Sequence, residues 1–255
     1  MMETIQTTHR TEAGLDSRKP AVADAASIVT YGHLSWLGWV WVVASAIYAI
    51  VIAAVARWGE VDHSLWQPVV AGWQRWVVFA AGVTTTTTFL RILVRNGATR
   101  ALVSTASTIS MAVIAAIGTA VIVVGYAIEK VVYAETGWVQ GLEDGGVFGW
   151  DDLWLVAVEM PIALAAYFVS GWLIGAGFYR FGVAGGLALL LPALLPAALT
   201  ELVTNKDLAG VDVGVVPEMG APPLALAAVA GVAIVAVGVL IARRVTSELS
   251  IRSSI

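Results

Sequence analysis

Long apolar runs alternate with short polar stretches along this chain of 255 residues. Six of the runs are long enough to cross a hydrocarbon core of about 30 Å as a helix, because a helix rises about 1.5 Å per residue. The pattern therefore predicts an all-α integral membrane protein with six transmembrane helices. The predicted spans are 35–56, 71–90, 108–128, 153–176, 182–203 and 224–242.

The spans divide the chain into three regions. Residues 1–34 are predicted to be a cytoplasmic N-terminal tail, whose polar start lacks the apolar core of a cleavable signal peptide. Within it, Ser27 to Leu34 has the mixed polarity of a short helix lying along the membrane interface. Residues 35–242 are predicted to form the six-helix transmembrane domain, and residues 243–255 a cytoplasmic C-terminal tail.

Composition supports the same class. Hydrophobic residues make up 59% of the chain and charged residues 13%, which is too little polar surface for a soluble domain of this size. There is no cysteine, so disulfides, thiol catalysis and cysteine metal sites are excluded. The three histidines, His9, His33 and His63, all fall outside the predicted spans, so we expect no histidine metal site within the membrane.

Basic residues favour one side of the predicted bundle. With both termini cytoplasmic, ten of the 14 Lys and Arg residues lie inside and four outside, as the positive-inside rule requires. The inner ten are Arg10, Arg18, Lys19, Arg91, Arg95, Arg100, Arg180, Arg243, Arg244 and Arg252; the outer four are Arg57, Arg75, Lys130 and Lys206.

Arg91 to Ser107 is the most informative inner stretch. Its three arginines, Arg91, Arg95 and Arg100, surround an Asn96-Gly97 turn signal, and Ala98 to Ala106 has the composition of a short helix that opens with Thr99 and Arg100. Such a turn and basic helix form a surface that a soluble partner can bind. The alternative is that the arginines only anchor helix ends at anionic lipid headgroups.

Two polar features fall inside the spans. The second span ends in five successive threonines, which at 100° per residue pass right round the helix. They either bond to carbonyls of their own helix and bend it slightly, or line a substrate path. Glu159 lies about two turns from the outer end of the fourth span, next to Pro161, and is either functional or merely interfacial. The candidate path residues are Thr84, Thr85, Thr86, Thr87, Thr88 and Glu159.

Two outer segments depart from the simple helix pattern. Pro192 and Pro196 interrupt the fifth span, which predicts a broken or re-entrant outer segment over residues 191–204. The loop of residues 129–152 is acidic and rich in tryptophan, which predicts a partly structured external cap. Its carboxylate spacing matches no calcium loop.

The Arg95-Asn96-Gly97-Ala98-Thr99-Arg100 core resembles the "basic-x-G-x-T-R" segment between the second and third helices of bacterial ABC exporter permeases. The six-helix layout resembles that class too. The resemblance implies that a cytoplasmic coupling helix docks into a separate ATPase subunit through Arg91, Arg95, Asn96, Gly97, Thr99 and Arg100. Ala101 departs from the pattern, since a second basic residue is common there.

On this resemblance we expect a permease subunit of an ATP-driven exporter in the bacterial cytoplasmic membrane, working as a homodimer or heterodimer. It would move an amphiphilic or hydrophobic substrate such as a drug, lipid or peptide. ATP and Mg would bind to the partner ATPase, because this chain has no phosphate-binding loop. It also has no recognised catalytic or metal motif. We expect no enzymatic activity, no metal site and no nucleic-acid partner.

Two alternatives remain open. The first is a proton-coupled secondary carrier using the carboxylates Glu159 and Glu201, although the two three-helix halves show no inverted repeat. The second is a membrane enzyme acting on lipid or isoprenoid headgroups. An enzyme requires polar groups that converge at one depth, and the sequence places the available ones on different spans.

Overall fold

The computed structural model describes residues 21–59, 61–142, 147–204 and 223–249. The regular structure in these ranges is helical, apart from one isolated bridge between Gly141 and Val147. Five of their helices are long and apolar enough to cross a membrane, and the fifth predicted span appears in addition as a broken helix. We number the helices α1 (Val22–Trp58), α2 (69–95, joined from Val69–Gln74, Arg75–Thr84, Thr85–Phe89 and Leu90–Arg95), α3 (Arg100–Thr136), α4 (Asp152–Ala188), α5 (Leu190–Ala193), α6 (Leu195–Thr204) and α7 (Leu224–Ser247).

Helix α1 begins well before the predicted first span. The expectation of a separate interfacial helix at residues 27–34 is wrong, because these residues continue into the span without a break. Ala25, Val29, His33 and Leu37 are all buried, and their four-residue spacing keeps one face against the bundle. The helix is about 55 Å long at 1.5 Å per residue, so it extends beyond a hydrocarbon core of about 30 Å. The predicted N-terminal tail before residue 21 lies outside the described residues.

Helix α4 ends in a reversal. The predicted inner turn at residues 177–181 is helical, and the chain turns instead at Gly182, which has a φ of 73°. Glycine adopts this region without the clash that a Cβ would cause. The chain then runs back along α4, since a Cβ on Gly186 would lie 2.2 Å from Cδ1 of Phe178.

Residues 183–204 form the broken segment, which returns from this turn. It consists of the last turn of α4, then α5 and α6, with interruptions at Leu189 and Leu194. The expectation of a broken helix around Pro192 and Pro196 is therefore confirmed. Helix α6 packs back on α4, where the Ala197 amide donates a hydrogen bond to Ser170 Oγ at 3.2 Å.

Two hydrophobic clusters hold the bundle together. The larger one joins α1, α2, α3, α4 and α7 through residues such as Leu164, Phe168 and Trp172. Backbones of α2 and α4 approach closely there, because a Cβ on Gly171 would lie only 1.9 Å from the Phe79 carbonyl oxygen. The smaller cluster lies where α1 and α3 begin and α2 ends, and includes Val29, Leu93, Val103, Tyr179 and Leu249.

Candidate functional site

The turn between α2 and α3 is built by local hydrogen bonds. Helix α2 ends at Arg95, and the amide of Ala98 donates to the Leu93 carbonyl at 3.0 Å across Gly97, whose φ is 84°. Thr99 then caps α3, because its Oγ1 accepts the Leu102 amide at 3.2 Å. The predicted helix thus does begin with Arg100, but it forms the first turns of α3 instead of a separate short helix.

Arginines from four helices meet at this end of the bundle, which we call the basic end. Most have partners: the Arg91 guanidinium lies 5.2 Å from the Tyr179 ring centre, and Arg100 Nη1 donates to the Ser247 carbonyl at 3.3 Å. Among described residues at this end, Asp24 and Glu248 are the acidic ones, so the surface is net positive. The basic end consists of Arg91, Arg95, Arg100, Arg180, Arg243 and Arg244.

Arg95 differs from the other arginines of the turn. Its side chain is exposed, and within the described part of the chain its guanidinium makes no hydrogen bond, ion pair or ring contact. The neighbouring Asn96 is also exposed, but its side-chain amide donates to the Ile92 carbonyl at 2.9 Å and closes the end of α2. Of the predicted docking residues, Arg95 is therefore the one most available to another molecule.

The threonine run adopts the first of its two predicted arrangements. Residues Thr85–Phe89 form a π-helical segment, and hydroxyls of Thr84 and Thr87 donate to carbonyls of Ala81 and Val83 at 2.8 and 3.0 Å. Thr85 and Thr86 are buried, and a Cβ on Gly175 of α4 would lie 2.4 Å from Thr86 Oγ1. These hydroxyls serve the helix and its packing, and a substrate path along them remains a prediction.

His33, which lies before the predicted first span, is part of the continuous helix α1. It is fully buried in α1, between the rings of Phe89 and Phe168. Its Nδ1 lies 3.1 Å from Ser110 Oγ, and its Nε2 lies 2.9 Å from the Ala81 carbonyl oxygen. The imidazole thus links three helices. Within the described residues there is no cluster of three His, Asp or Glu side chains able to hold a metal ion.

Glu159 and Glu201, the two carboxylates expected to act in a carrier, differ in surroundings. Glu159 is half-buried on α4. Glu201 of α6 is buried and pairs with Arg75 of α2, with 2.7 Å between Arg75 Nη1 and Glu201 Oε1. Only 4% of either side chain is exposed, so this ion pair lies in the protein interior. Sequence analysis assigned Arg75 to the outer side and missed the pair, because 126 residues separate the partners.

Unpartnered polar atoms lie in this ion pair, on the neighbouring Tyr167 and on the preceding residue, Gln74. Arg75 Nε, both side-chain amide atoms of Gln74 and the Tyr167 hydroxyl are buried and have no hydrogen-bond partner among the described residues. Tyr167 nevertheless lies close to both charges of the pair. Buried polar atoms normally have partners, so this group stands out as a place where a ligand or water would be stabilised.

Glu129 is a second buried carboxylate, which sequence analysis placed at the start of the acidic loop of residues 129–152. It lies near the end of α3 and is fully buried. Its Oε1 accepts from the Tyr48 hydroxyl and the Trp66 amide, both at 2.8 Å, and its Oε2 accepts from Ser64 and Gln140, both at 2.6 Å. A single carboxylate thus ties α1, the connection after it and the loop after α3 together.

The described parts of the acidic loop are partly structured, as expected, and their external position remains a prediction. The Val139 amide donates to the Val61 carbonyl, and the Phe148 ring stacks on Tyr126 with centres 4.5 Å apart. In the adjoining connection the hydrogen bond from His63 lowers the pKa of the exposed Asp62 carboxyl. Residues 143–146, which hold two of the predicted acidic residues, lie outside the described ranges.

Comparison with known proteins adds no relative. No protein-family model matches this chain, and neither a curated protein nor a solved structure matches it. The likeness to exporter permeases thus rests on residues 95–100 and on the order of the helices. The observations establish an all-helical protein with five to six apolar helices long enough to span a membrane.

Proposed function

We propose that this chain is the transmembrane permease subunit of an ATP-driven exporter and is powered by a separate ATPase subunit. The observation that carries the proposal is the capped turn at residues 96–99, which joins two apolar helices and leaves the Arg95 guanidinium without a partner in the described chain. A fixed turn beside an available positive charge is suited to an acidic groove on a soluble protein.

The helix that follows the turn supports a coupling role. Helix α3 starts at Arg100 and continues to Thr136 without interruption, a length of about 55 Å at 1.5 Å per residue. A displacement of the turn would move this helix as a rigid element, because its hydrogen bonds resist bending. A movement caused by ATPase binding at the basic end would in this way be transmitted to the opposite end of the bundle.

The remaining features of the proposal follow the same resemblance. Two permease subunits would pair, ATP and Mg would bind to the ATPase, and the site of action would be the bacterial cytoplasmic membrane. An amphiphilic or hydrophobic substrate, such as a drug, lipid or peptide, is compatible with the apolar character of the helices.

The test is charge reversal at the turn. Arg95→Glu should lower the yield of co-purified ATPase about tenfold or more and abolish export, because like charges would then face each other at the contact. The measurement is ATP hydrolysis by the complex isolated from native membranes, with the bound subunit identified by its phosphate-binding loop. Arg57→Glu is the matched control. Arg57 is also exposed, but it lies in the last turn of α1, at the opposite end of that helix from the basic end.

A second variant tests the turn without changing charge. Gly97→Val forces a β-branched residue into positive φ, while the space around it stays open. It should reduce ATPase binding in the same way as Arg95→Glu. Normal ATPase binding and export in both variants would leave the arginines as lipid anchors and remove the main support for the proposal.

The buried Arg75–Glu201 pair favours one other candidate, a proton-coupled carrier. A carboxylate that is ionised when it pairs with arginine and protonated when it is released can couple transport to a proton gradient. A second carboxylate, Glu159, lies on the neighbouring α4. Transport that persists without ATP, and that loses its pH dependence in Glu159→Gln or Glu201→Gln, would favour the carrier. Transport that requires ATP and is indifferent to the proton gradient would exclude it.

A further inference from the structure

A cavity of about 580 Å³ opens between α4, the broken segment and α7. This volume falls within the range of sites that hold small organic ligands. Its walls come from the last turns of α4, from α5 and α6 around the two prolines, and from one face of α7 that includes Val237 and Gly238. We call it the lateral groove.

The lateral groove is apolar except at one point. Of the 17 described residues that line it, Arg180 is the only one with a charged or polar side chain. Arg180 belongs to the basic end, whereas Leu199 and Ala233 line the groove deeper along the bundle. The groove therefore combines a long apolar wall with a cation at one end, which is the chemical pattern of an anionic lipid.

Arg180 has capacity for an anion. Its Nη1 lies 3.6 Å from Glu248 Oε2, which is longer than a hydrogen bond, and 41% of its side chain is exposed. Glu248 also pairs with Arg244 at 2.9 Å, so it would keep a cation partner if Arg180 turned to a phosphate. Basic pockets between membrane helices are known to bind lipid headgroups.

Sequence explains why the groove exists at this place. Pro192 and Pro196 lack the amide hydrogen that a continuous helix needs, and the helix is interrupted shortly before each of them, at Leu189 and Leu194. The facing positions on α4 and α7 are small, namely Ala176, Gly177 and Gly238. Small residues opposite a broken helix leave a space that protein side chains do not fill.

We propose that the lateral groove binds an anionic phospholipid, with one acyl chain along the apolar wall and the phosphate paired with Arg180. The inference is independent of the transport proposal, since it requires only that the helices lie in a membrane. The lipid would belong to the leaflet next to the basic end. Its chain would stabilise the broken segment, whose own side chains leave this space open.

The experiment uses the purified full chain in detergent, with phosphatidylglycerol or phosphatidylcholine of identical acyl chains added. Native mass spectrometry measures bound lipid, and thermal unfolding measures stabilisation. We expect phosphatidylglycerol to bind more tightly. Arg180→Gln should weaken its binding roughly fivefold, the equivalent of one headgroup contact of about 1 kcal/mol. It should weaken phosphatidylcholine binding less, because the choline group of that lipid offsets the charge of its phosphate. Arg180→Lys should restore the preference.

A second variant tests the acyl-chain site. Val237→Trp, at a lining position that is 56% exposed, should fill the groove without disturbing the core and reduce binding of both lipids. Val229→Trp is the matched control, because Val229 is exposed on the same helix but does not line the groove. Glycerol phosphate, which has a headgroup but no chain, should not compete.

Three results would overturn the proposal. The first is equal binding of both lipids by the unaltered chain. The second is unchanged phosphatidylglycerol binding in both Arg180→Gln and Val237→Trp. The third is a loss of dimer in Val237→Trp with lipid binding intact, which would show that a second copy of the chain occupies the groove.

Discussion

Two carboxylates are buried in the described part of this molecule, and they are stabilised in opposite ways. Glu201 has a cation, Arg75, at 2.7 Å, whereas Glu129 receives four hydrogen bonds from neutral donors. The Arg75–Glu201 pair joins α2 to α6, which belong to different halves of the bundle. Glu129 instead joins α3 to α1, to the connection after α1 and to the loop after α3. Both carboxylates thus connect distant parts of the chain, Glu201 through an ion pair and Glu129 through hydrogen bonds from neutral groups.

The difference predicts how each site fails. Removing one member of a buried ion pair leaves the other charged and without a counterion, which is far more costly than losing the pair as a whole. Replacing a hydrogen-bonded carboxylate by an amide keeps the volume and loses only part of the bonding. A single substitution should therefore lower the free energy of unfolding more at the ion pair than at Glu129, although both carboxylates are almost completely buried.

The largest effect should come from Arg75→Ala. It leaves Glu201 buried beside Tyr167 without its cation, and such losses cost about 3–5 kcal/mol. The measurement is the free energy of unfolding in detergent micelles. The double variant Arg75→Leu with Glu201→Leu should recover most of the loss, because no charge remains to be stabilised.

Two results would contradict this account of the ion pair. If the double variant is as unstable as Arg75→Ala, packing around the two side chains matters more than their charges. If Arg75→Ala is as stable as the unaltered chain, water or another group already reaches Glu201.

A smaller loss is expected from Glu129→Gln, about 1.5–3 kcal/mol. The new amide nitrogen would face donors such as Gln140 Nε2, so at least one hydrogen bond is replaced by a donor-donor contact. Unfolding and the fluorescence of Trp66, whose amide binds Glu129, report the change. Glu135→Gln, at an exposed position of the same helix, is the control and should have no measurable effect. Equal stability of the two variants would mean that the four hydrogen bonds contribute little.

The sequence predicted the parts of the fold that depend on local pattern. Apolar runs located the helices, Asn96-Gly97 located a turn, and the two prolines located the broken segment. Helix α1 was placed too short, because the mixed polarity of residues 27–34 does not show that one face is buried against other helices. The reversal after the fourth span was predicted at residues 177–181, next to its actual position at Gly182, because the sequence does not show that residues 177–181 remain helical.

The buried polar sites could not be predicted for a different reason. Arg75 and Glu129 lie near ends of apolar runs, where sequence alone favours a solvated charge, and their partners come from distant positions. Depth in the bundle is set by how helices stack, which a single sequence does not report. The signal that was available was the presence of Arg75 inside the second predicted span and of Glu201 inside the fifth, on two helices that are able to meet.

The smallest effect, and one of opposite sign, is expected at Gln74. Its side-chain amide is buried and has no hydrogen-bond partner among the described residues, so it is more costly to bury than an apolar group of similar size. Gln74→Leu should therefore raise the free energy of unfolding by about 1 kcal/mol. Thr119→Val should act in the same direction, because Thr119 Oγ1 is likewise buried and unpartnered within the described chain.

Thr246→Val provides the contrast that makes this last prediction sharp. Thr246 Oγ1 accepts the Trp172 indole N–H at 3.0 Å and donates to the Ala242 carbonyl at 2.7 Å, so the same chemical change should there reduce stability. A loss of stability in Gln74→Leu would show that the amide does have a partner. The adjoining cavity of about 10 Å³ is at the lower limit for one water molecule, which is the partner that such a result would indicate. A gain of stability together with a loss of transport would instead indicate that the Gln74 amide binds a ligand. The amide would then destabilise the fold but be needed for binding.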